Sequence, residues 1–294
     1  MDLGDTRYWY AELAHTAKRH ETPCGDGTMV WREWGEGAPV VMLHGGSGSW
    51  RHWIRNIPQI SQHYRVLVAD LPGLGDSDMP PFEFDHGDLL GSVRRLAQIV
   101  LDGILKLTQS PVALVGFSAG SITAAQLAAC HSPHVRSLHI AGGSGMGIPW
   151  GGLAGKLRPM AKDMTRDEKL AVQAHNTGLI MCSTPVASDS IEAELQLDNT
   201  ECARLRTHPL ADSDVTEQAL QGIKAPLQMI WGSNDPYAGP DLEGRVGLVR
   251  KHHPNADIHL LGEAGHWVMY ERFDAYNPLL LSALARHAQS GNFA

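Results

Sequence analysis

The stretch Val112-Ala113-Leu114-Val115-Gly116-Phe117-Ser118-Ala119-Gly120-Ser121 constrains this chain more than any other. An apolar run bounded by Pro111 reads as a buried strand, and the small residues from Ala119 to Ala129 suit a helix pressed closely against a sheet. Between them the chain must turn sharply, which crowds the positions two before and two after Ser118. Gly116 and Gly120 supply the missing bulk there, and Ser118 is the only serine so flanked. The expected result is a nucleophile elbow, with the serine in a strained conformation and its hydroxyl held above the sheet.

At 294 residues the chain is long enough for a substantial core, and 43% hydrophobic with 19% charged residues is ordinary globular composition. A net charge of −8 and the absence of basic runs argue against a nucleic-acid partner. The four cysteines (Cys24, Cys130, Cys182, Cys202) form no C-x-x-C pair, and the His252-His253 doublet and the pair His131 and His134 lack a third ligand at metal spacing. No metal is therefore expected. Neither a secretory leader nor an eighteen-residue apolar run is present, so the expectation is a soluble, cytoplasmic protein without a membrane partner. A small molecule is the expected partner, and a homodimer is left open.

Along the chain, runs at Lys18 to Trp34 around Cys24-Gly25-Asp26-Gly27 read as a hairpin, followed by strands at Pro39 to Leu43 and Tyr64 to Asp70. Apolar positions Leu89, Val93, Leu96, Val100, Ile104 and Leu107 recur at helical spacing, and the strand Val135 to Ile140 follows the Ser118 unit. Such alternation predicts a mostly parallel sheet covered by helices on both faces. From Met146 to about Ala225 the alternation stops and helical patterns dominate, which predicts an inserted helical cap at 146–225 between core segments 1–145 and 226–294. The core resumes with strands at Pro226 to Gly232 and Asp257 to Leu261.

A serine hydroxyl is a weak nucleophile at neutral pH and needs a base within reach, itself oriented by a carboxylate. His266 follows the last strand, in Gly265-His266-Trp267, at the same sheet edge as Ser118. The acid should end a strand between them. The loop after Ile140 carries no carboxylate, whereas Gly232-Ser233-Asn234-Asp235-Pro236 offers Asp235. Acyl transfer also needs backbone donors for an oxyanion, expected from Ala119 and from Gly46 in the loop His44-Gly45-Gly46-Ser47. His44, Gly45, Ser47, Phe117, Met146, Trp150 and Trp267 are the expected pocket residues, with Leu153 and Met160 as further apolar cap candidates.

Five motifs in order make the chain resemble the α/β-hydrolase superfamily over about residues 20 to 290. They are His44-Gly45-Gly46, Asp70-x-Pro72-Gly73-x-Gly75-x-Ser77, Gly116-x-Ser118-x-Gly120, Gly232-x-x-Asp235-Pro236 and Gly265-His266-Trp267. The resemblance implies an eight-stranded, mostly parallel sheet, a lid after the sixth strand, and Ser118, Asp235 and His266 as a triad that needs no cofactor. Small carboxylic esters are the first expected substrates. The block from Trp50 to Gly75, with Gly265-His266-Trp267, also resembles hydrolases that cleave carbon–carbon bonds of aromatic ring-fission products. The chain departs from these at Gly46-Ser47-Gly48, where they carry Gly-Pro-Gly, and at Ala119-Gly120-Ser121, where they carry Met-Gly-Gly. That second resemblance implies a cap arginine for a substrate acid group, with Arg204 and Arg206 as the candidates. A member of the fold that binds without turnover is the third reading.

Overall fold

The alternation of strand and helix is realised in the computed structural model, which describes residues 6–149 and 153–288. Eight strands form one sheet: β1 (Lys18–Cys24), β2 (Gly27–Trp34), β3 (Pro39–Leu43), β4 (Arg65–Ala69), β5 (Val112–Phe117), β6 (Val135–Ala141), β7 (Leu227–Gly232) and β8 (Asp257–Leu261). The helices are α1 (Thr6–His15), α2 (Ile57–Ile60), α3 (Leu89–Leu107), α4 (Ala119–Cys130), α5 (Arg166–Ile180), α6 (Ile191–Cys202), α7 (Val215–Leu220), α8 (Leu242–His252), α9 (Val268–Glu271) and α10 (Phe273–Ala288).

Spatial order is β1-β2-β4-β3-β5-β6-β7-β8, antiparallel only where β2 meets β1 and β4. This order places the site. The chain leaves β3 toward β4 on one side and leaves β5 toward β6 on the other, so the loops after β3 and β5 diverge. A crevice opens where the strand order reverses, outside the carboxyl ends of two parallel strands. The register sets Leu43 beside Gly116, Gly116 beside Ile140 and Ala141 beside Ile230, so the loops after β3, β5, β6 and β7 emerge at one edge.

Strand side chains alternate between two apolar layers. Val41, Leu43, Leu114 and Ile140 face the layer built with α3, α4 and α7, while Val40, Met42, Val115 and Phe117 face the layer built with α9 and α10. Covering on both faces explains why these strands read as continuous apolar runs. α4 is buried on every side from Ala119 to Ala128, which its small side chains permit.

Between β6 and β7 the described residues hold helices and no strand. Thr165 and Glu168 form a reciprocal capping box that starts α5, which packs against α6. By contrast α7 packs on α4, and its Val215, Ala219 and Leu220 join the apolar layer under the sheet. Of the stretch expected as cap at 146–225, α5 and α6 contribute cavity residues opposite Ser118, whereas α7 packs with the core. Among the described residues no helix is long and apolar enough to cross a membrane.

Candidate active site

Ser118 joins β5 to α4 with φ 50° and ψ −121°, a conformation that L side chains rarely adopt. The turn is held by the Ser118 amide donating to the Ala141 carbonyl at 3.1 Å and by the Ser121 hydroxyl donating to the Ser118 carbonyl at 2.5 Å. A Cβ at Gly116 would lie 2.6 Å from the Ser121 Cα, and one at Gly120 would overlap the His44 carbonyl oxygen. Both glycines are therefore steric requirements of the turn.

His266 and Asp235 sit side by side on the loops after β8 and β7. The imidazole Nδ1–H donates to Asp235 Oδ2 at 2.8 Å, and Asp235 Oδ1 accepts the Tyr237 and Ala238 amides at 2.8 and 3.2 Å. Their side chains are 2% and 1% exposed. Because Nδ1 carries the proton, Nε2 is the basic nitrogen, and it is buried without a partner among the described residues. The ring lies between Phe117 and Tyr237, with centroid separations of 4.9 and 4.4 Å. Burial, followed by the nearby Asp235 charge, pushes the Tyr237 phenol up to about 12, which keeps it a neutral hydroxyl beside His266. Fully buried Arg245 donates to the carbonyls of Ala238, Tyr237 and Ile148, tying the Asp235 loop to the segment that follows β6.

The loop after β3 is built from inside. His44 accepts the Leu71 amide at Nε2 (3.0 Å), so Nδ1–H donates to the Gly45 carbonyl (2.7 Å). The Gly45 amide donates to His52 Nδ1 at 3.2 Å and is thereby withdrawn from the cavity. Burial holds the pKa of His44 below, and that of His52 well below, the ordinary histidine value. Asp70 supports the same loop by accepting the Trp50 amide at Oδ1 and Arg32 with the Asp76 amide at Oδ2. Ser47 takes φ 46°, and Gly46 passes beneath Thr207, whose hydroxyl would lie 2.5 Å from a Cβ there.

A cavity of about 660 Å³ lies between this floor and the segment that follows β6. Ser118, His266, Ala119, Gly46, Ser47 and Phe117 line it. Four expected pocket residues do not. His44 is spent on the two flanking loops, and Gly45 lies against the Phe117 ring and the Ser118 Cβ, 2.9 and 3.1 Å from where its own Cβ would be. Trp267 turns inward, donating to the His52 carbonyl at 3.0 Å and stacking on Tyr270, because the residue after His266 opens α9 in the interior. Met146 is buried in the apolar layer with α4 and α7, not on the cavity wall. Met160 is also absent from the wall, while Trp150 and the Leu153 side chain lie outside the described residues.

Both candidate arginines line the cavity. Arg204 donates a guanidinium N–H to the Ser77 carbonyl, and the backbone amides of Arg204 and Leu205 donate to the Gly73 carbonyl at 2.9 and 3.1 Å. Sequence reasoning missed Tyr237, Thr207, Gln173 and Gln196 on the wall, and His52 behind it. Tyr237 carried a signal, its position two residues after Asp235; the other four stand in no motif.

The chain matches the profile of the alpha/beta hydrolase family over residues 40–279. It is 26% identical to a 2-hydroxy-6-oxo-6-phenylhexa-2,4-dienoate hydrolase of Comamonas testosteroni, covering 91% of this chain and 95% of that protein. It is 25% identical to the dihydrolipoyllysine-residue acetyltransferase component of the acetoin cleaving system of Pseudomonas putida, covering 94% of this chain and 72% of that one. Among solved structures, a meta-cleavage product hydrolase from Pseudomonas fluorescens superposes with a TM-score of 0.73 at 19% identity, over 91% of this chain and 97% of that chain. A carboxylesterase from Bacillus subtilis superposes with a TM-score of 0.72 at 16% identity, over 95% and 96%. With the profile spanning most of its length and the sheet order described above, this chain belongs to the alpha/beta hydrolase family.

Proposed function

We propose that this protein is a serine hydrolase that cleaves a small carbonyl compound through an acyl-enzyme, with Ser118 as nucleophile, His266 as base and Asp235 as the orienting acid. The observation that carries this reading is the buried pair His266–Asp235 at 2.8 Å, whose remaining imidazole nitrogen is unpartnered and whose histidine lines one cavity with Ser118. Ser118 Oγ attacks the substrate carbonyl carbon while its proton passes to His266 Nε2. Asp235 stabilises the imidazolium that results. The Ala119 and Gly46 amides donate to the oxyanion, the leaving group departs with the proton from His266, and water releases the acyl group by the same steps in reverse.

Carboxylic esters are the simplest substrates for this machinery. Carbon–carbon bonds beside a ketone are the second reading, favoured by the Comamonas relative's activity and by the two arginines on the cavity wall, which suit a substrate acid group. Release of p-nitrophenol from acetate and butyrate esters by the native chain and by Ser118→Ala tests the first. A burst or turnover lost in the variant supports it. Turnover confined to vinylogous diketone acids moves the assignment to the second, and failure of the native chain on both panels overturns the proposal.

A further inference from the structure

Gln196 on α6 reaches from the helical segment to His52, and this contact determines which end of its amide faces the cavity. His52 is buried and held on all sides. The Phe117 and Trp267 rings meet it edge-on at 5.4 Å, its carbonyl accepts the Trp267 indole N–H, and a Cβ at Gly48 would lie 2.6 Å from its Nδ1. Burial, with His44 and His266 nearby, keeps the ring neutral. A neutral imidazole has one N–H and one lone pair. The lone pair at Nδ1 is taken by the Gly45 amide, so the proton is on Nε2, and the Gln196 amide atom placed 3.0 Å from it as Nε2 cannot accept that proton. Only an oxygen can receive that proton. Exchanging the two ends of the Gln196 amide satisfies the donor: Oε1 then accepts from His52 Nε2–H, and the NH2 takes the other amide position.

The contact to His52 is the one side-chain hydrogen bond of Gln196 among the described residues, and Gln196 lines the cavity with 5% exposure. Next to it, Gln173 on α5 spends its Nε2 on the Gln196 carbonyl (3.0 Å) and the Thr200 hydroxyl (2.9 Å), which leaves its oxygen as an acceptor on the same wall.

We propose that Gln196 is a substrate-binding residue, oriented by His52 so that its NH2 donates into the cavity, and that it selects acyl substrates carrying a second carbonyl oxygen beyond the bond that is cleaved. The inference rests on the acyl-transfer reading for its site and concerns specificity, not chemistry. His52 is a positioning residue that acts through Gln196.

The minimal pair p-nitrophenyl 4-oxopentanoate and p-nitrophenyl pentanoate differs by one ketone oxygen. The native chain should favour the oxo ester by about tenfold in kcat/KM, as a site built to hydrogen-bond a polar group discriminates against its hydrocarbon analogue. Gln196→Met, which keeps length and packing, should bring that ratio close to one. Gln196→Glu keeps the contact to His52 while replacing the donor by an acceptor, and should lower the ratio at least as far. A native ratio near one, or a ratio unchanged in both variants, overturns the proposal. Saturation-transfer NMR of 4-oxopentanamide against pentanamide on the Ser118→Ala chain separates the two readings. A ketone preference that disappears with Gln196→Met, where the native chain itself turns over no ester, retains the binding assignment and rejects acyl transfer; absence of preference in both assays rejects the binding assignment.

Discussion

The floor and the ceiling of the cavity are built on opposite terms. On the floor, the polar atoms around Ser118 are paired: both Asp235 oxygens and both His44 nitrogens have partners, while the second imidazole nitrogen of His266 is left open. The ceiling formed by α5 and α6 keeps amide atoms of Gln173 and Gln196 without protein partners, and Asn199 Nδ2 is buried and unpaired. Groups paired in this way hold one geometry, as positioned acid–base groups require. The incomplete one leaves hydrogen-bonding capacity for a ligand. On the proposed reading, reaction type belongs to the floor and substrate choice to the ceiling.

The comparison breaks most easily at Ser118. Ser118→Ala should lower kcat by about 10⁵-fold on any substrate the native chain turns over, because the nucleophile, base and acid act as a unit. A loss below tenfold in steady-state rates would remove Ser118 from the floor's chemistry. Asp235→Asn should cost about 10³-fold in kcat with smaller change in KM, since the amide cannot hold His266 in the tautomer that bares Nε2. An effect confined to KM would move Asp235 out of the reaction and into binding.

The pH dependence of stability sharpens the contrast from the far side of the sheet. His139 on β6 is buried between the Ser137 hydroxyl and the Gln228 amide oxygen, and burial brings its pKa from 6.5 to about 4. Between those values the unfolded chain binds a proton that the folded chain refuses, so stability is full above pH 6.5 and declines as pH falls toward 4. The shift corresponds to at most about 3 kcal/mol, and buried, neutral His44 and His52 act in the same direction. Urea unfolding at pH 7 and pH 5 should show this loss in the native chain and a smaller one in His139→Gln; equal slopes would contradict the assignment.

The smallest expected effect tests the seam itself. The Ser49 hydroxyl donates to Asn199 Oδ1 at 2.6 Å, joining the loop after β3 to α6. Ser49→Ala leaves Asn199 without this partner and should cost about 1 kcal/mol. Hydrogen exchange should quicken in α6 while β5 amides are unchanged, and equal acceleration in both would mean that ceiling and floor unfold together.

Most of the floor was legible in the sequence because backbone geometry demanded particular residues. Gly116 and Gly120 are required by steric overlap, the strands advertise themselves by burial on both faces, and the Ser, acid, His order follows from strand ends meeting at one edge. Trp267 was misplaced because adjacency to a histidine does not say which way a side chain turns; the start of α9 carried it inward, under His52. His44 looked like part of the pocket for the same reason, since its motif fixes the loop but not the two hydrogen bonds that occupy its ring.

By itself, then, the sequence determined the sheet, the elbow and the three residues nominated for chemistry, because each depends on local constraints: a missing Cβ, an apolar period, a strand that ends in a loop. Only the tertiary structure decided that α7 joins the core, that His52 takes up the Gly45 amide, and that Gln173 and Gln196 line one cavity with Ser118. Those contacts join residues as far apart as His52 and Gln196, 144 positions along the chain. A hydrogen bond over such a separation depends on where two helices settle against the sheet, and no local pattern in the chain records that.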